Sequence, residues 1–270
     1  TCLSNASYTN DYKKNIVILS PGIFNSAYFE HAYLAQQMGI DLVESADLFL
    51  SKDNFVYMKT INGKKKVDVI YRRVNDNYLD PKVWVKDSIL GVPGIVNSWK
   101  EKKVAIVNAP GSGVADDKAV YAFVPKMIEY YLGEKPKLKQ VKTYLCAFEK
   151  DMKYVLENIH KLVLKPVNES GGYGILIGPQ ATKKELKEYK SKIISNPRNF
   201  VAQPLIKLST TPTLINTSIQ PRHIDLRPFI LSGNKTFITN GGLTRVALKK
   251  GSTIVNSSQG GGSKDTWVVS

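Results

Sequence analysis

The sequence predicts a mixed α/β (α+β) fold, on three observations. Short apolar runs such as residues 15–20 (NIVILS), 104–107 and 161–167 read as buried strands. Stretches with the 3.6-residue apolar spacing of helices alternate with them. Pro-Gly, Asn-Gly and Ser-Gly-Asn steps punctuate the two.

In order along the chain, the run at 15–20 stops at Pro21-Gly22, and 27–38 has helical spacing that ends before Gly39. Short strands are expected at 42–43 and 47–50, and strands 55–60 and 66–71 flank Asn62-Gly63 as a hairpin. A helix over 92–101 and a strand over 104–107 complete a first α/β domain, residues 1–108. The second domain, 109–270, opens with a helix over 117–132 and another over 152–160. Strands 161–167 and 175–177 flank the loop Glu169-Ser170-Gly171-Gly172-Tyr173-Gly174. Thr182, followed three residues later by Glu185, predicts a capping box for a helix over 182–194. A strand over 200–204 follows, then a hairpin, 224–231 and 235–239, around Ser232-Gly233-Asn234. Strands at 244–248 and 253–255 end in a glycine-rich tail, where Trp267 argues for an ordered, close-packed loop.

Composition narrows the function classes. The 270 residues are 43% hydrophobic and 23% charged, enough for a sizeable core in one large or two small domains. No apolar run approaches the roughly 18–20 residues that span a bilayer. The net charge of +15 suits phosphates, acidic proteins or membrane surfaces, but the lysines are spread along the chain, as a compositional bias would also place them. Cys2 and Cys146 form neither a disulfide framework nor a zinc site, so the expected setting is reducing and cytoplasmic. His31, His160 and His223 lack metal-ligand spacing, and no metal ligands are assigned.

Several residues carry potential chemistry. The glycine loop lies between two strands, unlike a P-loop, yet its backbone N–H groups can approach phosphate oxygens; a flexible hairpin turn is the alternative. Lys165 sits inside an apolar strand, where an anionic ligand would compensate its charge, unless it lies on an edge and snorkels to water. Lys118 stands at a helix start, where a cation is disfavoured and an anion favoured. In Arg222–Arg227 (RHIDLR), strand alternation places His223, Asp225 and Arg227 on one face, lining a site or forming a solvent-facing salt bridge. Arg227, Arg245 and Lys264 together can neutralise a transferring phosphoryl group. Arg72, Arg73 and the Gly111-Ser112-Gly113 turn are candidate carboxylate or phosphate contacts, with a salt bridge from an arginine to Asp76 or Asp80 as the alternative.

With these elements in order, the chain resembles the circularly permuted ATP-grasp family, type 2 branch. The resemblance is carried by SPGIFNSAYFEHAYLAQQMGIDLVE, VDVIYRRVNDNYLDP, GSGVADDKAVYAFVP, GGYGILIGP, VAQPLIKLST, PRHIDLRPFILSG and GGLTRVALKKGSTIVNSSQGGGSKDTWV. It spans residue 16 to the end. It implies an ATP-grasp architecture preceded by a small α/β domain that often shapes the acceptor site. Lys118 and Lys165 match the two phosphate-contacting lysines, Ser170, Gly171, Gly172 and Gly174 the phosphate loop, and Gln203 and Leu205 the hinge that holds adenine. His223 and Asp225 line the cleft, Arg227, Arg245 and Lys264 fall at motif positions, and Arg72, Arg73 and Ser112 are the substrate-side candidates.

The activity implied is ATP-dependent ligation of a carboxylate to an amine through an acylphosphate, with ATP and Mg2+, and small carboxylate, amine or peptide substrates. Relatives are described by analogy to glutathionylspermidine synthase. The family's acidic Glu-x-Asn pattern for magnesium precedes the region matched here and has no convincing copy in it. It is expected in a missing N-terminal segment or on a partner protein. Two rivals follow: a noncatalytic nucleotide-binding or protein-interaction scaffold, and a basic nucleic-acid module. The second is disfavoured because the 14 tyrosines do not cluster with the lysines.

Overall fold

The computed structural model describes residues 2–169, 173–253, 255 and 260–268. It divides into two compact units: residues 1–113 with 231–237, and residues 114–230 with 238–270.

The first unit is built on a parallel sheet in the order β2 (Asp41–Val43), β1 (Ile16–Leu19), β6 (Val69–Arg72), β7 (Ala105–Val107). Val17, Ile18, Leu19, Val69 and Ile70 have no solvent exposure, as the continuous apolar runs of a parallel sheet require. After the short helix α1 (Cys2–Asn5), helix α2 (Tyr28–Met38) links β1 to β2 and ends on Gly39 in the left-handed region (φ 63°). A second, antiparallel sheet holds β3 (Leu48–Leu50), β4 (Val56–Thr60) and β5 (Gly63–Lys66). Here the hairpin expectation needs correction. The Asn62-Gly63 turn pairs β4 with Gly63–Lys66, closing tightly at Thr60 and Gly63. Val69–Arg72 lies parallel to β1 in the other sheet because its apolar residues bury both faces. Helix α3 (Asp76–Leu79) follows β6, and α4 begins at Ile95, not 92, after Gly94 at φ 88°.

The second unit holds an antiparallel sheet in the order β10 (Leu176–Ile177), β9 (Leu162–Pro166), β11 (Phe200–Pro204), β8 (Tyr144–Leu145). On one face Leu162, Leu164 and Ala202 pack with Val155 of α7 (Glu149–Asn158) and with Tyr189 and Ile193 of α8 (Lys183–Ser195). Thr182 caps α8, and its capping box with Glu185 is present. The single helix expected over 117–132 is two, α5 (Lys118–Tyr121) and α6 (Val124–Leu132). Pro125 lacks an N–H, and its ring would collide with the Tyr121 carbonyl in a continuous helix.

A second sheet runs β12 (Thr210–Ile215), β13 (Ser218–Ser232), β14 (Thr236–Val246), β15 (Gly262–Lys264). The hairpin strands are longer than expected: 244–246 is the end of β14, not a separate strand. Residues 253 and 255 are not in a strand, and Trp267 is 83% exposed; residues 254 and 256–259 of the expected strand and tail lie outside the described residues.

Candidate nucleotide and substrate sites

Strand alternation sorts β9 into two faces. Leu162, Leu164 and Pro166 are buried, while Val163 and Lys165 point the other way. Lys165 lies on a central strand, not an edge. On its face Val201 packs with Leu145, Val167 and Ala119 and Ala122 from and after α5. That packing brings Lys118, the first residue of α5, beside Lys165.

Lys118 is held by backbone carbonyls. Its Nζ donates to Pro166 O at 2.9 Å, to Val167 O at 3.4 Å and to Glu169 O. Asp117 caps α5 through the Ala119 N–H at 2.8 Å and binds Arg198 at 2.6 Å. Burial raises the Asp117 pKa, but the bonds from Arg198 and Ala119 outweigh it and leave the carboxyl below its ordinary value. Lys165 Nζ donates to Gln203 Oε1 at 2.7 Å, and Gln203 in turn donates to Thr143 Oγ1 at 2.8 Å. Neither lysine forms an ion pair among the described residues. Burial lowers the pKa of both; the Lys118 charge depresses Lys165 further, while Glu169, Asp117 and Asp116 partly offset the effect at Lys118. Two neighbouring, partly desolvated cations bound only to neutral oxygens form an anion-seeking arrangement.

The loop's far end is shaped by contact. Gly174 has φ 68°, its carbonyl accepts the Tyr189 hydroxyl at 2.7 Å, and a Cβ there would lie 2.8 Å from Pro166 Cγ. Ser170, Gly171 and Gly172 lie outside the described residues. Beyond β11, Leu205 is 39% exposed and its N–H has no hydrogen bond among the described residues.

The polar row forms a second group. Asp225 accepts Arg245 Nε at 2.8 Å and also Nη2. His223 Nδ1 donates to Leu208 O at 3.0 Å, so that nitrogen carries the proton. Lys264 Nζ donates to Pro212 O at 2.8 Å, and Arg227 is exposed. A cavity of about 520 Å3 lies beside this group, lined by Phe229, Gly241, Gly242, Lys264 and Trp267. Sequence reasoning singled out neither Phe229 nor Thr143; each stands in a stretch of ordinary β pattern that gives no sign of its neighbours.

In the first unit Arg72 and Arg73 point apart. Arg72 donates to Asn108 O (2.6 Å), Val74 O (2.9 Å), Ala109 O (3.1 Å) and Ser112 Oγ (3.1 Å), and pairs with Asp76 at 2.7 Å. Asp76 also accepts the Gly111 and Gly113 N–H groups, each at 3.1 Å. Arg72 and Ser112 are thus tied into the turn that ends the unit. Arg73 pairs with Glu30 at 2.5 Å and donates to the Tyr71 hydroxyl at 3.0 Å. Sequence reasoning also missed Ser20 and His31, which meet near Arg73; the signal available was a histidine on the apolar face of α2.

Among the described residues no group of three or more His, Cys, Asp or Glu side chains comes together as a metal site, and no helix is long and apolar enough to cross a membrane.

Comparison with known proteins places the chain in a family. An uncharacterised protein of Synechocystis sp. is 55% identical over 255 residues, 94% of this chain and 53% of that one. A Frankia casuarinae protein named "putative glutamate–cysteine ligase 2-2" is 44% identical over 253 residues, 94% of this chain and 29% of that one. The chain therefore spans about half of the first relative's length and less of the second's. A glutathione synthetase-like effector from Globodera pallida shares the fold, with TM-score 0.50 and 13% identity over 96% of this chain and 58% of that one. The family model for circularly permuted ATP-grasp type 2 matches residues 1–247. The chain belongs to the circularly permuted ATP-grasp type 2 family.

Proposed function

We propose that this chain is the nucleotide-binding part of an ATP-dependent carboxylate–amine ligase. The observation that carries the reading is the Lys118–Lys165 pair, two partly buried cations with no carboxylate hydrogen-bonded to them among the described residues. The residues present fit a triphosphate. The lysines supply charge, and Gly174, in the left-handed region and packed against the Pro166 ring, lets the loop end lie close against β9. Gln203 holds Lys165, and the free Leu205 N–H offers a donor to an adenine edge. Arg245, steadied by Asp225, together with Arg227 and Lys264, supplies positive charge toward a transferring phosphoryl group. When bound, ATP supplies the phosphoryl group that activates a carboxylate as an acylphosphate for attack by an amine.

A divalent cation finds no matching donor set among the described residues, so the reading assigns its ligands elsewhere, to additional polypeptide. Arg72 and Ser112 shape the turn near a substrate side, and Arg73 is the better-placed contact. Small carboxylates, amines or peptides are the substrate class, and a cytoplasmic setting supplies ATP.

The test is a hydroxylamine trap: with MgATP and a panel of amino acids and short peptides, an acylphosphate is captured as a hydroxamate. Hydroxamate formation that depends on one carboxylate supports ligation. Nucleotide binding without hydroxamate or ADP release favours the scaffold reading.

A further inference from the structure

The parallel sheet of the first unit reverses its strand order between β1 and β6. The chain leaves β1 for β2 on one side, then returns past β1 to β6 and β7 on the other. In open parallel sheets, ligands bind outside the carboxyl ends of the strands at such a reversal. Those ends here are Leu19, followed by Ser20-Pro21-Gly22, and Arg72, followed by Arg73. The Arg73 N–H donates to Leu19 O at 2.8 Å, which fixes Arg73 at this edge.

Ser20 and His31 are each 1% exposed. Ser20 Oγ lies 2.9 Å from His31 Nδ1 and accepts the Gly22 N–H at 3.1 Å. Burial and then the Arg73 charge lower the imidazole pKa, against a smaller pull from Glu30, so the ring is neutral at pH 7. With Gly22 already donating to Oγ, the Ser20 proton has one acceptor among its described partners, Nδ1. The imidazole proton therefore sits on Nε2. Nε2 makes no hydrogen bond among the described residues, so its N–H is a donor without a protein partner there. Arg73 and Glu30, a quarter and about half exposed, present one charge of each sign near it.

We infer that this edge binds a free α-amino acid, its carboxylate on Arg73 and His31 Nε2–H and its ammonium on Glu30. The ligand exchanges one internal ion pair for two, so no charge is left unmatched. The inference rests on the ligase reading, since an amino acid carries both functions that an amide bond joins, and it adds Ser20, His31 and Glu30 to the substrate side.

The test is ligand-observed NMR with the proteinogenic amino acids, followed by calorimetric titration of the strongest binder. The same titration uses its N-acetyl and carboxamide derivatives. Binding is expected for the free amino acid, and Arg73→Gln weakens it about tenfold or more, the loss of a charge-assisted pair. Glu30→Gln weakens the free amino acid but not the N-acetyl form. Both side chains are partly exposed, so folding is checked by circular dichroism and should persist. Nitrogen-detected NMR of His31 should show the Nε2–H tautomer. No saturation transfer to any amino acid by folded wild type, or equal affinity in Arg73→Gln, overturns the inference. Titration of an ATP analogue on the same samples reads the nucleotide proposal separately, because Arg73→Gln leaves Lys118 and Lys165 untouched.

Discussion

Lys165 ends its side chain on the Gln203 amide oxygen, 2.7 Å away, and has no carboxylate partner among the described residues although it stands on a central strand. A lysine placed so is costly to the fold. Its pKa is lowered by burial and by Lys118. For a cation whose folded pKa lies below its unfolded value, the penalty is full below the folded pKa. It is relieved as pH rises through the folded pKa toward the unfolded value near 10.5. Lys165→Met is therefore expected to be more stable than wild type at pH 7, with the advantage shrinking as pH rises toward 10.5. Urea denaturation of both proteins across that range checks this. The comparison cancels Cys146, whose thiol burial pushes up to about 11 and whose contribution runs the opposite way. An advantage that grows with pH contradicts the reading.

Arg72 bears on whether the first unit's arginines serve structure or substrate. Its five contacts and a side chain only 8% exposed make Arg72→Ala a loss of about 3 kcal/mol, because Asp76 loses its counter-charge and keeps only the Gly111 and Gly113 N–H groups. Thermal unfolding should show a large drop in Tm. A change within about 0.5 kcal/mol, as for ordinary surface sites, would mean that the turn at 111–113 does not depend on it.

Gly174 combines a left-handed φ with a close approach to Pro166 Cγ. Gly174→Ala is expected to cost about 1–2 kcal/mol in stability. It should also weaken nucleotide binding, since the loop end must shift. Chemical denaturation with a parallel nucleotide titration separates the two effects.

Thr182→Ala removes the hydroxyl that accepts the Glu185 N–H and breaks the capping box. A loss of about 1 kcal/mol is expected, read from the denaturation midpoint at unchanged slope. Nucleotide affinity should stay at the wild-type value, because α8 packs on the face of β9 opposite Lys165.

Local signals made much of this legible. The Thr182–Glu185 spacing marked a helix start within one residue, and the apolar run at 161–167 gave β9 with Lys165 in it. What stayed hidden depended on partners distant in sequence. Residues 210–215 contain Pro212 and three threonines, and they become β12 only because β13 lies alongside. Asn62-Gly63 marked a turn correctly, but nothing local says that Val69–Arg72 leaves that hairpin to join β1. The Ser20–His31 contact links a strand end to a helix face, and the Asp225–Arg245 pair links two strands; neither has a spacing signature.

The most direct measurement is calorimetric titration of a nonhydrolysable ATP analogue, with magnesium, into wild type and Lys165→Ala. The account predicts binding by wild type and an affinity about tenfold or more lower in a folded variant, as loss of a charge-assisted phosphate contact implies. Equal binding by both proteins, or none by folded wild type, would contradict the assignment of the Lys118–Lys165 pair to the nucleotide phosphates.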